Sequence, residues 1–579
     1  MNESTETAHW LHKYGNVDYY AWRDIAGDNG SRIFHRPIGL VESTFDTDGR
    51  HYEGRADMSV EIEIEIRSEL SSSELRKKLL FTWACLRNEH ALLQAKSMPW
   101  NRALQQSHTA LHFFIGVPET SEAALSSAAD HLVFLEDHYE VVDRMDFWIH
   151  CQNGSRILDP NKALSKMFIH SAVSHSNGNI TLRVLIVGGH MIWDGLSSAI
   201  WARNYVQLLN LSSSELEDRL SLAIRPENIK RKLPLPQEAL YPPINGSKAR
   251  KRWFWLLTRI LRHVRKPLPA GFPNPLRRHN FRQPVALSPL YTAVLDYSRV
   301  PPLNTFPSFM RASLADTDHL HRLCREAKVS IGSGCFALTA LIMMEMYERL
   351  QPDIPLSERQ PFITGFPINP RAFFNHHNEP DSCMLAFCEG IILPFLPSSL
   401  DLNGRIRLLA RQAHRQLSAY QKRVRPAGEE AKLQYMSTRG AGRVLANQYL
   451  LSLERANSNL PPHLREANVN PHGNYPARLN FGRPTCGVSS VGRREGIVSQ
   501  KLFDVNDKKD FVASCKDLGA SVRAREGEFL VGVGGDEKGL CITASVDGSN
   551  IDPALVALFK DRLETVLTEP RLEAEKGKL

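Results

Sequence analysis

The turn between a predicted strand and a predicted helix near one third of the chain constrains the fold more than any other part of the sequence. Residues 181–187 form a short apolar run rich in β-branched side chains, which is typical of a buried strand. A Gly-Gly pair ends this run and allows the backbone to turn sharply. The apolar spacing of residues 196–208 then predicts a helix, with Asp194 in position to cap it. His190 therefore lies on a tight turn that two regular elements hold.

His190 and Asp194 are the candidate catalytic residues of this turn. An imidazole titrates near neutrality, so it can take a proton from an alcohol, amine or thiol and return it to a leaving group. The Asp194 carboxylate, four residues later, has two tasks open to it. It either orients the imidazole or holds the turn through an ion pair with an arginine, and the sequence leaves both alternatives open.

A second His-x-x-x-Asp lies in the run His376-His377-Asn378-Glu379-Pro380-Asp381. This is the literal His-His-x-x-x-Asp of peptide-forming condensation domains. However, no apolar strand leads into it, Pro380 interrupts any helix, and Ser382 stands where a glycine is expected. We interpret this copy as a polar surface loop, because sequence context decides between two copies of a motif.

The run His190-Met191-Ile192-Trp193-Asp194-Gly195 resembles the His-x-x-x-Asp-Gly motif of the chloramphenicol-acetyltransferase-like superfamily. That superfamily includes BAHD acyltransferases, alcohol acetyltransferases and condensation domains. The chain is most similar to the fungal acetyltransferases of secondary metabolism, of the trichothecene 15-O-acetyltransferase type. The resemblance implies an α/β protein of two similar domains, each a mixed sheet flanked by helices, with an active-site tunnel between them.

The same resemblance implies an enzyme that transfers an acyl group from a CoA thioester to an alcohol. Acetyl-CoA or another acyl-CoA would be the co-substrate, and the acceptor would be a hydroxyl of a secondary metabolite such as a trichothecene-like terpenoid, a mycotoxin. His190 would be the general base, and no metal is expected. Two alternatives remain: a condensation-type enzyme that forms amides or esters from carrier-bound thioesters, and a catalytically dead scaffold of the same fold.

Further site residues follow from the resemblance. In relatives an arginine pairs with the motif aspartate, and Arg371 in Asn369-Pro370-Arg371 is the candidate, with Gly195 completing the structural turn. Arg87 competes for this role, and Arg371 as an ordinary surface residue is a third interpretation. Ser489 and Ser490, in a Ser-Ser-Val-Gly run, resemble a strand that borders the site in relatives. Their hydroxyls would donate hydrogen bonds to an oxyanion, or the two serines would have only a structural role at the end of the strand. Residues 479–483 resemble the BAHD Asp-Phe-Gly-Trp-Gly only distantly.

The chain of 579 residues is too long for one compact core, which predicts two domains. We expect an N-terminal half at 1–235, a basic, proline-rich crossover at 236–300 and a C-terminal half at 301–579. The first fifty residues are predicted as an arm that wraps the core, and the last ten as disordered. Periodicity predicts strands at 59–67 (half-exposed), 143–150 and 362–368, a hairpin at 529–546, and helices at 72–93, 317–327, 331–350, 405–422 and 552–567.

Composition and charge narrow the functional class. A hydrophobic content of 42% and a charged content of 23% are typical of a globular protein. The nine scattered cysteines show no zinc spacing, which favours a reduced cytoplasmic protein, and we expect a monomer. The polar N-terminus predicts no secretory signal, and no apolar run is long enough to span a membrane.

The net charge of +8 is concentrated in residues 248–268, which contain eight Lys or Arg and no acid. The rest of the chain is close to neutral, so the basic balance does not predict a nucleic-acid partner. Three interpretations of this segment stay open: a crossover helix packed on the protein, an amphipathic helix on an anionic membrane, and a basic rim near the CoA phosphates. The crossover is favoured.

Overall fold

The structure is a computed structural model that describes residues 10–27, 30–100, 111–244, 246–264, 268–284, 286–301, 304–373, 379–418, 441–465, 484–494, 503–507 and 509–568. The predictions for residues 376–378, 419–422, 479–483 and the last ten residues lie outside these ranges.

The strands, in chain order, are β1 (Arg23–Ala26), β2 (Arg32–Pro37), β3 (Met58–Ser68), β4 (Lys96–Pro99), β5 (Leu111–Gly116), β6 (Leu132–Phe134), β7 (Ser165–Ile169), β8 (Val173–Ser174), β9 (Ile180–Gly188), β10 (Thr305–Arg311), β11 (Phe362–Ile368), β12 (Ala386–Leu393), β13 (Cys486–Arg493), β14 (Phe511–Val522), β15 (Phe529–Asp536) and β16 (Gly539–Asp547). They form three sheets: β1-β2-β5-β4, then β14-β3-β9-β7-β6 with β8 beside β9, and β10-β16-β15-β13-β11-β12. The last two sheets are mixed, because β6 is parallel to β7 and β13 is parallel to both β11 and β15.

The helices are α1 (Trp10–Lys13), α2 (Leu40–His51), α3 (Ser72–Glu89), α4 (Ser121–Ala129), α5 (Arg144–Asn153), α6 (Gly195–Leu209), α7 (Ser213–Ala223), α8 (Pro226–Lys232), α9 (Gln237–Leu240), α10 (Lys248–Val264), α11 (Leu314–Glu326), α12 (Ile331–Leu350), α13 (Leu402–Leu417), α14 (Ala441–Ser458) and α15 (Pro553–Thr565). The observed bounds of α12 and β11 equal the predicted ones, and β15 and β16 form the predicted hairpin. The α/β class with two mixed sheets flanked by helices is confirmed.

Strand β3 lies inside its sheet, between the edge strand β14 and β9. Its isoleucines point into the core, as the alternating pattern predicts. The prediction that its other face is half-exposed is wrong for Glu61, which is 1% exposed. Helix α5 contributes Arg144 to an ion pair with this glutamate. A buried charge needs such a partner, and the sequence pattern alone does not reveal it.

Residues 143–150, predicted as a strand, belong instead to α5. Asp143 caps the helix by accepting a hydrogen bond from the Asp146 N–H at 2.7 Å. Phe147, Trp148 and Cys151 are buried on one side of it, and this spacing fits a helix. Short apolar runs do not distinguish a strand from a buried helix, which explains the wrong prediction.

The first fifty residues contain β1, β2 and α2, so the prediction of an arm is wrong for this part of the chain. The buried face of α2 carries Asp46 and Asp48 beside the apolar Phe45. Arg50 pairs with Asp46 at 2.9 Å and Arg55 with Asp48 at 2.5 Å. Because ion pairs occupy part of the buried face, hydrophobic periodicity does not reveal this helix.

Strand β14 comes from the C-terminal half but pairs with β3 along its whole length, from Phe511 opposite Ser68 to Val522 opposite Met58. The sheet that carries His190 on the end of β9 is therefore built from both halves of the chain. The division at 236–300 stays a prediction, and any boundary there leaves β14 in the sheet of the first half.

No single helix within the described ranges is both long and apolar enough to cross a membrane. Helices α11 and α12 meet that criterion only when they are taken together across a bend of 110°.

Candidate active site

The turn that carries His190 is fixed by close backbone packing at the end of β9. A Cβ atom on Gly188 would lie 2.7 Å from the indole ring of Trp193, so only glycine allows this approach. The Gly189 N–H donates to the Leu164 carbonyl at 2.9 Å, and the Gly189 carbonyl accepts from the Ile192 N–H at 3.0 Å. These contacts hold the turn against the neighbouring strand, so the imidazole leaves a rigid base.

The orientation of the His190 ring follows from two contacts. Nδ1 lies 2.9 Å from the Trp193 carbonyl oxygen, which can only accept a hydrogen bond. Nδ1 therefore carries the proton in the neutral ring, and Nε2 is the atom with a free lone pair. The phenyl ring of Phe45 stacks on the imidazole, with ring centroids 4.0 Å apart and planes 7° from parallel.

Burial of His190 lowers its pKa to about 4, and Arg525 acts in the same direction. Asp194 and the backbone hydrogen bonds oppose this shift but do not cancel it. A histidine with such a pKa is neutral at physiological pH. The side chain is therefore in the form that a general base requires.

The Asp194 carboxylate binds backbone groups on both sides of the site. Oδ1 accepts hydrogen bonds from the N–H groups of Leu196 at 2.9 Å and Ser197 at 3.0 Å, which makes Asp194 the N-cap of α6. Oδ2 accepts from the Met384 N–H at 3.0 Å and pairs with Arg371 Nη2 at 2.8 Å. Among the described residues none of its hydrogen bonds goes to His190, so its geometry is that of a residue holding the turn.

Arg371 lies in the short turn that follows β11. It is 5% exposed, and besides Asp194 it donates a hydrogen bond to the Ser382 carbonyl. Arg87, the competing candidate from the sequence, lies elsewhere: its guanidinium donates to the Ser127 carbonyl at 2.5 Å. The ion pair thus connects the cap of α6 in the first half to a strand of the second half.

The segment that follows the second His-x-x-x-Asp also contacts His190 and Asp194. Its histidines lie outside the described residues, but Cys383 Sγ is 4.0 Å from His190 Nδ1, and Met384 binds Asp194. Burial raises the pKa of Asp381 to about 6, and Arg371 opposes the shift. Sequence patterns did not predict the contacts of Cys383, Met384 and Phe45 with this site, because none of these residues belongs to a recognisable motif.

Strand β13 approaches the start of α6 through Val491. A Cβ atom on Gly195 would lie 3.1 Å from Val491 Cγ1, so a larger residue at position 195 would force the two elements apart. Ser489 is half-buried and Ser490 is exposed. The Ser490 hydroxyl lies 3.8 Å from the position of a Cβ on Gly332, near the start of α12. The structure therefore brings this strand to the motif through Val491, and the serines flank that contact.

No family model matches the chain, and no curated protein matches it in sequence. Its structure is similar to that of TRI3 trichothecene 15-O-acetyltransferase from Fusarium sporotrichioides, with a TM-score of 0.64 at 12% identity, over 95% of this chain and 97% of that one. Two condensation domains are less similar. That of the Monacolin K polyketide synthase MokA has a TM-score of 0.48 at 10% identity, over 93% of this chain and 98% of that one. The starter condensation domain of rhizomide synthetase with C8-CoA and Leu-SNAC has a TM-score of 0.49 at 10% identity, over 92% of this chain and 93% of that one.

Sequence identity of 10–12% shows similarity of fold alone, and of these three structures only the acetyltransferase has a TM-score above 0.5. This similarity extends over nearly the whole of both chains. Together with the two mixed sheets and the motif on the turn after β9, it shows that this chain has the fold of the chloramphenicol-acetyltransferase-like superfamily.

Proposed function

We propose that this protein is an acyl-CoA-dependent O-acyltransferase that acetylates a hydroxyl group of a secondary metabolite. The observation that carries the proposal is the state of His190. Its Nδ1 donates to the Trp193 carbonyl, its pKa is lowered to about 4, and its Nε2 is the atom that accepts a proton. A neutral imidazole on a rigid turn is what proton transfer from an alcohol requires.

The reaction follows from this arrangement. Nε2 of His190 takes the proton of the acceptor hydroxyl as its oxygen attacks the thioester carbonyl, and a C–O bond forms. The negative charge of the tetrahedral intermediate then lies on the former carbonyl oxygen, where a hydroxyl of Ser489 or Ser490 would donate a hydrogen bond. When the intermediate collapses, the C–S bond breaks, and His190 returns the proton to the CoA thiolate.

The position of the site supports a reaction between two substrates. His190 and Asp194 come from the first half, whereas Arg371, Met384 and Val491 come from the second half. A reacting centre where the halves meet fits the tunnel that the resemblance implies, in which the thioester and the acceptor would enter from opposite sides. We propose a trichothecene-like terpenoid alcohol as acceptor, because the similar Fusarium protein is a trichothecene 15-O-acetyltransferase.

The test is turnover by the purified full-length chain, followed by mass spectrometry of the acetylated product. Acetyl-CoA is offered with a panel of hydroxylated terpenoids that includes trichothecene alcohols. In parallel, a carrier-bound aminoacyl thioester is offered with an amine. Acetyl esters formed from the first mixture support the proposal. Amide formed only from the second mixture indicates a condensation enzyme, and binding of acetyl-CoA without any turnover indicates a scaffold.

A further inference from the structure

One face of helix α10 packs on the described part of the protein. Trp255 and Thr258 are 5% and 7% exposed on that face. The indole of Trp255 makes edge contacts with Trp10 and Tyr14, at centroid distances of 5.3 and 5.0 Å. Further along the helix, the Arg262 guanidinium donates to both carboxylate oxygens of Glu454 on α14, at 2.9 Å each. These contacts fix how the helix is rotated about its axis.

The opposite face of α10 is an exposed apolar stripe. Its six side chains recur at intervals of three and four residues, which places them along one side of a helix. They are Trp253 (60% exposed), Leu256 (42%), Leu257 (47%), Ile260 (45%), Leu261 (45%) and Val264 (62%). Isolated apolar residues on a surface are common, but six that form a continuous stripe mark an interaction surface.

Cations accompany the stripe. Lys248, Arg250, Lys251 and Arg252 are all exposed in the first part of the helix, and Arg259 lies half-buried beside the stripe. The helix contains no Asp or Glu. An apolar stripe with a tryptophan at one end and an excess of cations is typical of a helix that lies in the interface of an anionic lipid bilayer.

We propose that α10 docks this protein on an anionic membrane surface, with the apolar stripe of α10 inserted among the lipids and its cations at the headgroups. A second copy of the chain fits less well as the occupant. A symmetric contact would bring two such helices together, and their cations would repel each other. The lipid surface supplies both the apolar layer and the negative charge.

The docking helix is also coupled to the candidate site. Trp255 belongs to a buried cluster that includes Tyr449 and Met384. The N–H of Met384 donates to Asp194, as described above. Helix α10 and the segment that borders His190 therefore share one hydrophobic cluster.

The test is co-sedimentation of the full-length protein with vesicles of phosphatidylcholine mixed with phosphatidylserine, and with vesicles of phosphatidylcholine alone. We expect binding to the mixed vesicles only. The double substitution Leu257→Glu/Ile260→Glu should weaken it by ~10-fold or more, because it places two anions in the stripe. Leu408→Glu/Leu558→Glu is the matched control, since these residues are 42% and 44% exposed on other helices. It should bind like the wild type.

A triple substitution, Arg250→Gln/Lys251→Gln/Arg252→Gln, tests the electrostatic part and should also weaken binding to the mixed vesicles. Three results would overturn the proposal. One is equal binding to both kinds of vesicle, or to neither. Another is a dimer that Leu257→Glu/Ile260→Glu converts to a monomer, which would make the stripe a subunit interface. The third is a raised KM for acetyl-CoA in the triple variant with unchanged vesicle binding, which would assign the cations to CoA phosphates.

Discussion

At the scale of single residues, the proposed chemistry depends on which nitrogen of His190 is free. The Trp193 carbonyl accepts a hydrogen bond from Nδ1–H, and the Phe45 ring covers one face of the imidazole. Nε2 is thereby left as the proton acceptor. Burial keeps the imidazole neutral, because it disfavours the charged form more than Asp194 stabilises it.

Replacing His190 with alanine should lower kcat by at least ~10²-fold, the usual contribution of a general base, and leave the melting temperature unchanged. Steady-state kinetics and a thermal melt of the same preparation check both parts. Loss of activity in His377→Ala, together with wild-type activity in His190→Ala, would mean that the second copy of the motif holds the base.

Phe45 is a positioning residue, since it stacks on the face of the imidazole and has no group that transfers a proton. Phe45→Leu removes the stacked ring and admits water, so kcat should fall by ~10-fold while KM for acetyl-CoA changes little. The midpoint of the acid limb of kcat/KM should also rise from about 4 toward the ordinary histidine value, because the charged ring regains hydration. Phe45→Tyr keeps the ring and serves as the control. An unchanged pH profile in Phe45→Leu would contradict this role.

At the scale of elements, the Asp194–Arg371 pair connects the cap of α6 to the turn after β11. Both side chains are nearly inaccessible to solvent, at 3% and 6% exposure. Removing one partner leaves the other charge buried and unpaired, which costs roughly 3–5 kcal/mol. We therefore expect the ion pair mainly to stabilise the turn that carries His190.

Asp194→Asn should lower both the melting temperature and the activity, because the neutral amide no longer forms an ion pair with Arg371. The amide oxygen can still cap α6, so the helix cap is retained. Arg371→Gln should have the same effect, and the double variant should be little worse than either single one. Denaturant unfolding of the four proteins measures this cycle. Losses of stability that simply add would mean that the two residues are not coupled, and a stable but inactive Asp194→Asn would show that the carboxylate acts on the imidazole.

At the scale of the whole molecule, burial of neutral histidines determines the response to acid. Burial lowers six described histidine pKa values to about 3 or 4: His35, His90, His112, His131, His170 and His190. Two buried carboxyls shift the opposite way, with the pKa of Asp381 raised to about 6 and that of Glu238 to about 7. The histidines outnumber them.

Stability should therefore fall as the pH drops from the ordinary histidine pKa toward 4. In this pH range the histidines bind protons in the unfolded chain but stay neutral in the folded protein. The free energy of unfolding therefore decreases with falling pH. The two carboxyls contribute with the opposite sign. The net uptake on unfolding near pH 5 should be roughly four protons. Urea unfolding at a series of pH values measures it, and a free energy of unfolding that stays constant between neutrality and pH 5 would contradict the burial of these rings.

The sequence by itself predicted those elements that are stabilised by contacts between residues close together in the chain. The strand, the glycine turn, the cap at Asp194 and helix α6 lie within 30 residues and are held by contacts between near positions, so local pattern predicted them. The same holds for α12, β11 and the hairpin of β15 and β16. The motif on the turn also led to the fold that the structure has.

Tertiary structure decided what depends on residues far apart in the chain. It paired Arg144 of α5 with the buried Glu61, and it added β14 to the sheet of the first half. It also stacked Phe45 on His190 and brought the Met384 N–H to Asp194. Periodicity reports only which side of an element is buried, whereas the partner on that side is chosen by packing of the whole chain. Local sequence could therefore place His190 and the cap at Asp194, but only the folded chain supplied the ring and the amide that complete the candidate site.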